Sequence, residues 1–242
     1  MRSIFIAMMM IAVLLAGCQK PAVTVATQER MIDLTHVIEP TGPDAQRKFV
    51  VRIHDALEEI KGKVRPEGEW YVMSDVDLMG HVGTHIEVPF HCLKKGADLS
   101  QVPIDRLCGD AIILNLTSAQ AEGGVTLDQV QAAAKAAGGM RKGDIVFGRM
   151  GPTKYFSTAS LQWLVDQGMK MMGVDSAGPE LENDTTHANV NHLLLFRAEI
   201  PVIENLANLD KVNRPRVKVY ALPIPARGVD AFPLRVIAVE QT

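Results

Sequence analysis

A short segment at residues 81–91, HVGTHIEVPFH, contains four side chains that can bind a metal ion or transfer protons. These are His81, His85, Glu87 and His91. Imidazole nitrogens and carboxylate oxygens are ligands of zinc and manganese, and histidine titrates near neutral pH. The residue types leave two interpretations open, a metal site or a solvated polar turn that is rich in histidine.

The segment is predicted to be extended rather than helical. Its β-branched residues and Pro89 have poor helix propensity. The spacing of His81 and His85 is therefore not the helical pair of the HExxH zinc proteins. Alternate side chains of a strand share a face, so the four polar residues, all odd-numbered, are expected on one side. Ile86 and Val88 are then expected to point into the apolar core.

The geometry of a strand also predicts a bend between the first two histidines. At ~3.3 Å per residue, His81 and His85 would lie about 13 Å apart along a straight strand. Metal–nitrogen bonds of about 2.0–2.1 Å barely allow both imidazoles to reach one ion across that distance. We therefore predict a bend at Gly83, because glycine has the most backbone freedom. His85 and Glu87, about 6.6 Å apart, need no bend.

Strands and helices interleave between residues 31 and 242, which predicts a single α/β domain with a mixed β-sheet. A charged segment at 41–69 interrupts the pattern and includes a predicted short helix near 53–61. The other predicted helices cover 126–139, with Thr126 as N-cap, 161–168 and the start of 191–206. The predicted strands are 31–40, 70–80, 111–116, 144–149, 171–176, the end of 191–206, 217–224 and 234–240.

The segment at 81–91 resembles the H-x-G-T-H-x-D-x-P-x-H signature of the cyclase family, which includes bacterial kynurenine formamidases and isatin hydrolases. Three further segments resemble that family in the same order: DLTH at 33–36, GVDS at 173–176, and NHLLLF at 191–196 followed by IPVIENLANLD at 200–210. The resemblance covers most of residues 31–210. It implies the family's swivelling β/β/α fold, with a barrel-like core flanked by helices.

The resemblance also implies a ligand set and a cofactor. The cofactor would be one or two ions of Zn²⁺ or Mn²⁺, bound by nitrogen and oxygen only. Glu87 departs from the family pattern, which has aspartate there, and its extra methylene leaves the number of ions open. The implied ligands are His81, His85, Glu87, His192 and Glu204.

By its position in the signature, His91 would be the proton-transfer residue. A divalent ion lowers the pKa of a bound water toward ~7, and the departing nitrogen of an amide must be protonated. Together with this chemistry, the family resemblance implies a hydrolase of a C–N bond in a small cyclic amide or formamide. The alternative role for His91 is to orient a metal ligand.

Other residues near the segment have weaker support for a role. Cys92 is an alternative nucleophile, as in a Cys–His hydrolase, and it could also pair with Cys108 or remain a buried thiol. His187 could join the site or lie at the surface, whereas His36 is interpreted as structural. The aromatic pair at 70–71 could stack on a planar substrate or pack in the core.

The N-terminal residues resemble those of a bacterial lipoprotein. Residues 1–17 have the pattern of an export signal and lead to Leu-Ala-Gly-Cys, which predicts lipid attachment at Cys18 and a tether at 18–30. The protein is thus expected on the periplasmic side of the cell envelope, held at a membrane surface. A non-catalytic, lipid-anchored metal- or ligand-binding protein is the alternative function.

Composition and family resemblance bear on the partners. The formal net charge of −3 and the lack of a basic tract argue against nucleic acid as a partner. The family resemblance implies a homodimer or homotetramer, with the segment at 41–69 as a candidate contact.

Overall fold

The computed structural model describes residues 28–59, 62–63, 65–119, 124–180 and 190–241. The predicted signal peptide, Cys18, most of the tether and His187 lie outside these residues. No helix within the described ranges has both the length and the apolar character needed to cross a bilayer.

Eleven strands and three α-helices are found in the described residues. The helices are α1 (Leu127–Ala136), α2 (Thr158–Asp166) and α3 (Val190–Arg197). The strands are β1 (Glu29–Asp33), β2 (Phe49–Asp55), β3 (Val72–Leu78), β4 (His85–Glu87), β5 (Cys108–Asn115), β6 (Ile145–Arg149), β7 (Met171–Val174), β8 (Val202–Glu204), β9 (Arg216–Ala221), β10 (Ala231–Pro233) and β11 (Val236–Gln241).

Nine of the described strands form one curled, mixed sheet in the order β1-β11-β9-β5-β6-β7-β8-β4-β10. Strands β5 to β8 are parallel, and the strands on either side of them pair antiparallel. The three helices cover one face of the sheet. This arrangement confirms the predicted α/β fold with a mixed sheet.

Alternation along the strands separates two apolar clusters. Ile112 and Val146 face the helices and pack in the same cluster as Leu161 of α2 and Phe196 of α3. Neighbouring residues such as Ile113 point to the opposite face of the sheet, where Ile86 and Val88 are also buried, as predicted. Burying a side chain of this size contributes about 1.5–3 kcal/mol, so both faces stabilise the sheet that carries the site.

Helix α1 begins as its sequence predicts. The Thr126 hydroxyl accepts a hydrogen bond from the Gln129 backbone N–H at 3.4 Å, and the Gln129 side chain accepts one from the Thr126 N–H at 2.9 Å. This reciprocal pair satisfies two backbone donors that a helix start leaves without partners.

Several element predictions are wrong in position or type. The predicted helix near 53–61 is instead the end of β2 followed by a 3₁₀ turn at Ala56–Glu59, because the β-branched residues of FVVRIHD pair with β3 over seven positions. The first strand ends at Asp33 rather than at Pro40. Strand β10 was not predicted, since three residues that end in proline give a weak pattern.

Candidate metal centre

A bend at Gly83 starts the site, as predicted. Gly83 has φ of +59°, and a Cβ atom there would lie 2.8 Å from Cγ1 of Ile38. Next to it, the buried Thr84 hydroxyl donates to the Asn205 carbonyl at 2.6 Å and accepts from the His36 backbone N–H at 3.0 Å. Two distant chain segments, at residues 36–38 and at residue 205, therefore hold the turn, and His36 contributes through its backbone.

Gly83→Ala should lower the free energy of unfolding more than Gly138→Ala, a matched substitution at another glycine with positive φ. Gly138 also has a positive φ, +92°, but nothing lies within 4 Å of its virtual Cβ. Gly138→Ala should therefore lose only the conformational term, roughly 1–2 kcal/mol. Gly83→Ala should lose about 1–3 kcal/mol more, because Ile38 must move. Denaturant unfolding of the two variants measures this difference, and equal losses would show that the Ile38 contact is unimportant.

Strand β4 carries two of the predicted ligands. His85 and Glu87 are buried and alternate with Ile86, so both point to the polar side of this edge. Antiparallel pairing with β8 places Glu204 directly opposite His85. The extended conformation predicted for 81–91 is found as a strand at these three residues only. Residues Pro89–His91 form a 3₁₀ turn, which returns His91 toward the site.

The Glu87 carboxylate lies at the centre of the cluster. Its Oε1 is 2.7 Å from Nδ1 of His81 and 3.3 Å from Nε2 of His85. Its Oε2 is 2.9 Å from Nε2 of His192. The extra methylene of glutamate thus still lets the carboxylate contact all three imidazoles, through two different oxygens.

Glu204 closes the cluster from the β8 side. Its Oε1 lies 3.3 Å from Nε2 of His192, and its Oε2 lies 3.5 Å from Nε2 of His85. His85 Nδ1 is 3.0 Å from the Gly83 carbonyl, so Nδ1 carries the proton and the lone pair of the neutral ring is on Nε2, which faces the two carboxylates. Because a lone pair cannot donate to a carboxylate, this nitrogen is available to bind a cation. The five predicted ligands are therefore all within one cluster, although they come from three distant parts of the chain.

Two acidic residues that the sequence did not reveal complete the surroundings. Asp230, which precedes β10, has Oδ2 at 2.9 Å from Nε2 of His81 and at 2.8 Å from Nδ1 of His91. Glu180 Oε1 lies 2.9 Å from Nδ1 of His192. Histidine ligands commonly have a carboxylate on their second nitrogen, so the chemistry predicts such partners but not their positions in the sequence.

The acidic surroundings favour positive charge at the site. Burial lowers the pKa of His81, but hydrogen bonds to Asp230 and Glu87 outweigh burial and raise it to about 9. Burial likewise lowers the pKa of His192, and contacts with acidic groups, Glu180 foremost, raise it to about 12. A divalent ion would supply the charge that these two protons otherwise provide.

The donor set fits a divalent metal ion. Two groups of residues each place their ligand atoms within 4.8 Å of one another. One group is His81, Glu87 and His91, and the other is His85, Glu87 and Glu204. Oε2 of Glu87 is buried, and although it lies 2.9 Å from Nε2 of His192, neither this contact nor any other in the described part of the chain has the geometry of a hydrogen bond to it. Burial and the charge of Glu87 raise the pKa of Glu204. A cation between the carboxylates of Glu87 and Glu204 would offset the cost of burying Oε2 without a hydrogen bond and the repulsion between the two acidic groups. Oxygen and imidazole ligands suit Zn²⁺ or Mn²⁺.

The cysteines and the aromatic pair at 70–71 were also candidates for a role at the site. Cys92 and Cys108 are both free thiols, so the possible disulfide is not formed. Cys92 is half-buried beside His91, and burial raises its pKa, which disfavours the reactive thiolate. Trp70 and Tyr71 are exposed before β3 rather than packed in the core.

A curled mixed sheet with a buried histidine and carboxylate cluster at one edge defines the class of protein: an α/β protein with a candidate metal centre of nitrogen and oxygen ligands. Comparison with known proteins then gives the family. The Cyclase family model matches residues 32–181, and the chain belongs to this family. The predicted family assignment is confirmed.

Two relatives illustrate the sequence similarity. Kynurenine formamidase of Delftia acidovorans is 27% identical over 173 residues, which cover 68% of this chain and 78% of the relative. Cyclase-like protein 1 of Oryza sativa subsp. japonica is 24% identical over 228 residues, which cover 87% of this chain and 79% of the relative.

Solved structures have the same fold. Isatin hydrolase A from Ralstonia solanacearum superimposes with a TM-score of 0.70 at 18% identity, covering 88% of this chain and 92% of its own. A structure described as a potential metal-dependent hydrolase with cyclase activity gives a TM-score of 0.67 at 22% identity, covering 89% and 100%.

Proposed function

We propose that the protein is a divalent-metal-dependent hydrolase that cleaves a C–N bond in a small formamide or cyclic amide. The observation that carries the proposal is the shared Glu87 carboxylate, which contacts His81 and His85 through one oxygen and His192 through the other. The named activities of the relatives, a formamidase and an isatin hydrolase, support this reaction class.

The proposed ligands are the five residues of the cluster, and the ion is Zn²⁺ or Mn²⁺. Such an ion, when bound, lowers the pKa of water toward ~7 and polarises a carbonyl oxygen. The ligand atoms of His85, Glu87 and Glu204 lie within 4.8 Å of one another, which supports an ion at that position. Metal analysis decides between one ion and two. The residues named for this role are His81, His85, Glu87, His192 and Glu204.

His91 is proposed to transfer the proton. Its side chain is 28% exposed, and its ring centroid lies 4.7 Å from that of His81 and 5.9 Å from that of His192. Because Nδ1 contacts Asp230, the neutral ring has its lone pair on Nε2. That nitrogen can accept a proton from the attacking water and deliver it to the departing nitrogen, which is otherwise a poor leaving group.

Metal loading tests the proposed function. The purified protein should bind one or two Zn²⁺ or Mn²⁺ ions per chain, as measured by elemental analysis. It should hydrolyse isatin, a cyclic amide, or formanilide, an aryl formamide. Chelation should abolish turnover, and readdition of metal should restore it. Metal binding without hydrolysis of either probe would favour the non-catalytic binding protein, and full turnover by metal-free protein would reject the proposal.

Thiol alkylation separates the Cys–His alternative from the metal mechanism. Cys92 follows His91 directly and is part-exposed, so a small alkylating reagent should reach it. If the reagent inactivates the wild-type enzyme without removing the metal, and a Cys92→Ser variant stays active in its presence, the alkyl group blocks the site sterically and the thiol is not the nucleophile. A Cys92→Ser variant without activity would support the thiol as nucleophile.

The β2–β3 hairpin supports self-association. It forms a separate two-stranded sheet with exposed apolar side chains, including Ile53, Val72, Met73 and Val76. An isolated hairpin is marginally stable in water, so a second copy is proposed to cover it in a homodimer or homotetramer. Light scattering should show an oligomer that Val76→Asp weakens, and a monomeric wild-type protein would contradict this.

The location of the protein remains a proposal from its sequence. Residues 1–17 followed by Cys18 support export and lipid attachment, with residues 18–30 as a tether to the domain. The enzyme would then act on the periplasmic side of the membrane surface. No basic patch in the sequence favours nucleic acid as a partner.

A further inference from the structure

Asp230 links two histidines that have different proposed roles. One oxygen, Oδ2, lies 2.9 Å from Nε2 of His81 and 2.8 Å from Nδ1 of His91. The two imidazole rings meet at a centroid distance of 4.7 Å with an angle of 50° between their planes. The carboxylate therefore fixes the proposed proton-transfer histidine relative to a proposed metal ligand.

The backbone fixes the carboxylate in turn. The Asp230 carbonyl accepts a hydrogen bond from the Val88 N–H at 3.0 Å, and the next residue, Ala231, pairs with Glu87 across β10 and β4. Asp230 is thus attached to the strand that carries the site, at the position where the chain turns toward His91. An aspartate on a free loop would not have this constraint.

The hydrogen-bonding capacity of the Asp230 carboxylate decides which ring nitrogens carry the protons. Its Oδ2 lies within hydrogen-bond distance of one ring nitrogen of each histidine. An ionised carboxylate has only acceptor positions. Each histidine must therefore donate a ring N–H to it, which leaves the opposite ring nitrogen of each with the lone pair in the neutral form.

We propose that Asp230 is a positioning residue that holds His91 with Nε2 toward the substrate and at the same time orients His81 for metal binding. This inference rests on the proposed hydrolase function. It assigns a role to a residue outside the signature segment, and it predicts two separable effects of substitution, one on the rate through His91 and one on metal affinity through His81.

Kinetics on the metal-loaded enzyme test the first effect. Asp230→Asn should lower kcat about 10–100-fold, with KM nearly unchanged, on whichever of isatin and formanilide is hydrolysed. In a double-mutant cycle, the same change in a His91→Ala background should lower kcat less than about 3-fold, because the group that it positions is gone. Asp110→Asn, an exposed change on β5, is the matched control and should leave kcat unchanged.

A competition titration with a chelator tests the second effect. Asp230→Asn should weaken metal binding about 10-fold or more, and this loss should persist in the His91→Ala background because it acts through His81. Unchanged metal affinity together with a kcat loss that is fully additive with His91→Ala would overturn the proposal.

A spectroscopic measurement keeps the inference testable if neither probe is hydrolysed. Proton–nitrogen NMR of the zinc-loaded protein should show His91 protonated on Nδ1 in its neutral form, and Asp230→Ala should shift it toward the Nε2-protonated form. A His91 tautomer that is the same in both proteins would reject the positioning role. Failure of the hydrolase proposal alone would leave this tautomer shift intact.

Discussion

His85→Ala is expected to lose metal and with it nearly all turnover. His85 is fully buried, its Nδ1 is held by the Gly83 carbonyl, and its Nε2 faces both Glu87 and Glu204. Alanine removes the ligand atom and leaves two buried carboxylates without this partner. We expect kcat/KM to fall roughly 10³-fold or more, which corresponds to about 4 kcal/mol of lost transition-state stabilisation.

Metal-dependent stability provides a second measurement of this change. A ligand that binds only the folded state at 100 times its Kd stabilises the protein by about 2.7 kcal/mol, so the wild-type Tm should rise when metal is added. The His85→Ala protein should show little of this rise over the same metal range. A variant with normal metal content and normal metal-dependent Tm would show that His85 is not a ligand.

His36→Ala is the matched control, because it removes a histidine from the same neighbourhood without touching the cluster. The His36 side chain is exposed, and its contribution to the Gly83 turn is a backbone hydrogen bond to Thr84, which alanine retains. Metal content and kcat should therefore stay near the wild-type values. A loss equal to that of His85→Ala would point to a general structural effect instead of lost coordination.

Local periodicity was sufficient to predict the parts of the site that share one strand. His85 and Glu87 alternate with core residues, and Gly83 is the position at which the chain can turn, so strand geometry and chain reach predicted both features. His192 and Glu204 required resemblance to the family. Glu204 lies opposite His85 because β4 pairs with β8, and His192 contacts Glu87 from helix α3. No short sequence pattern indicates either arrangement.

The remaining features depend on tertiary contacts. Asp230 reaches the site because the short edge strand β10 pairs with β4, and a three-residue strand has too little sequence to show a period. Strand β2 was mistaken for a loop with a helix because charged residues interrupt its β-branched positions, whereas β3 lies within the strand predicted at 70–80. In both cases pairing between strands outweighs local propensity.

His91→Ala should keep the metal and lose the rate. His91 contacts Asp230 and lies at the open side of the cluster, whereas the proposed ligands are more deeply buried. Removing a general acid–base group typically costs 10²–10⁴-fold, so we expect a decrease in kcat of about that size with unchanged metal stoichiometry. Normal turnover by this variant would show that another group transfers the proton. Loss of metal would place His91 among the ligands, which its position in one of the two ligand groups allows.

The leaving group of the substrate distinguishes proton transfer from a general disturbance of the site. An amine that leaves easily needs less protonation in the transition state, so the defect of His91→Ala should be smaller for 4-nitroformanilide than for formanilide. A disturbed metal centre would slow both substrates by similar factors. Added imidazole should restore part of the lost activity, since the space left by the missing ring lies at the exposed side of the site. Equal defects on the two formanilides, without rescue by imidazole, would contradict a role for His91 in protonating the departing nitrogen.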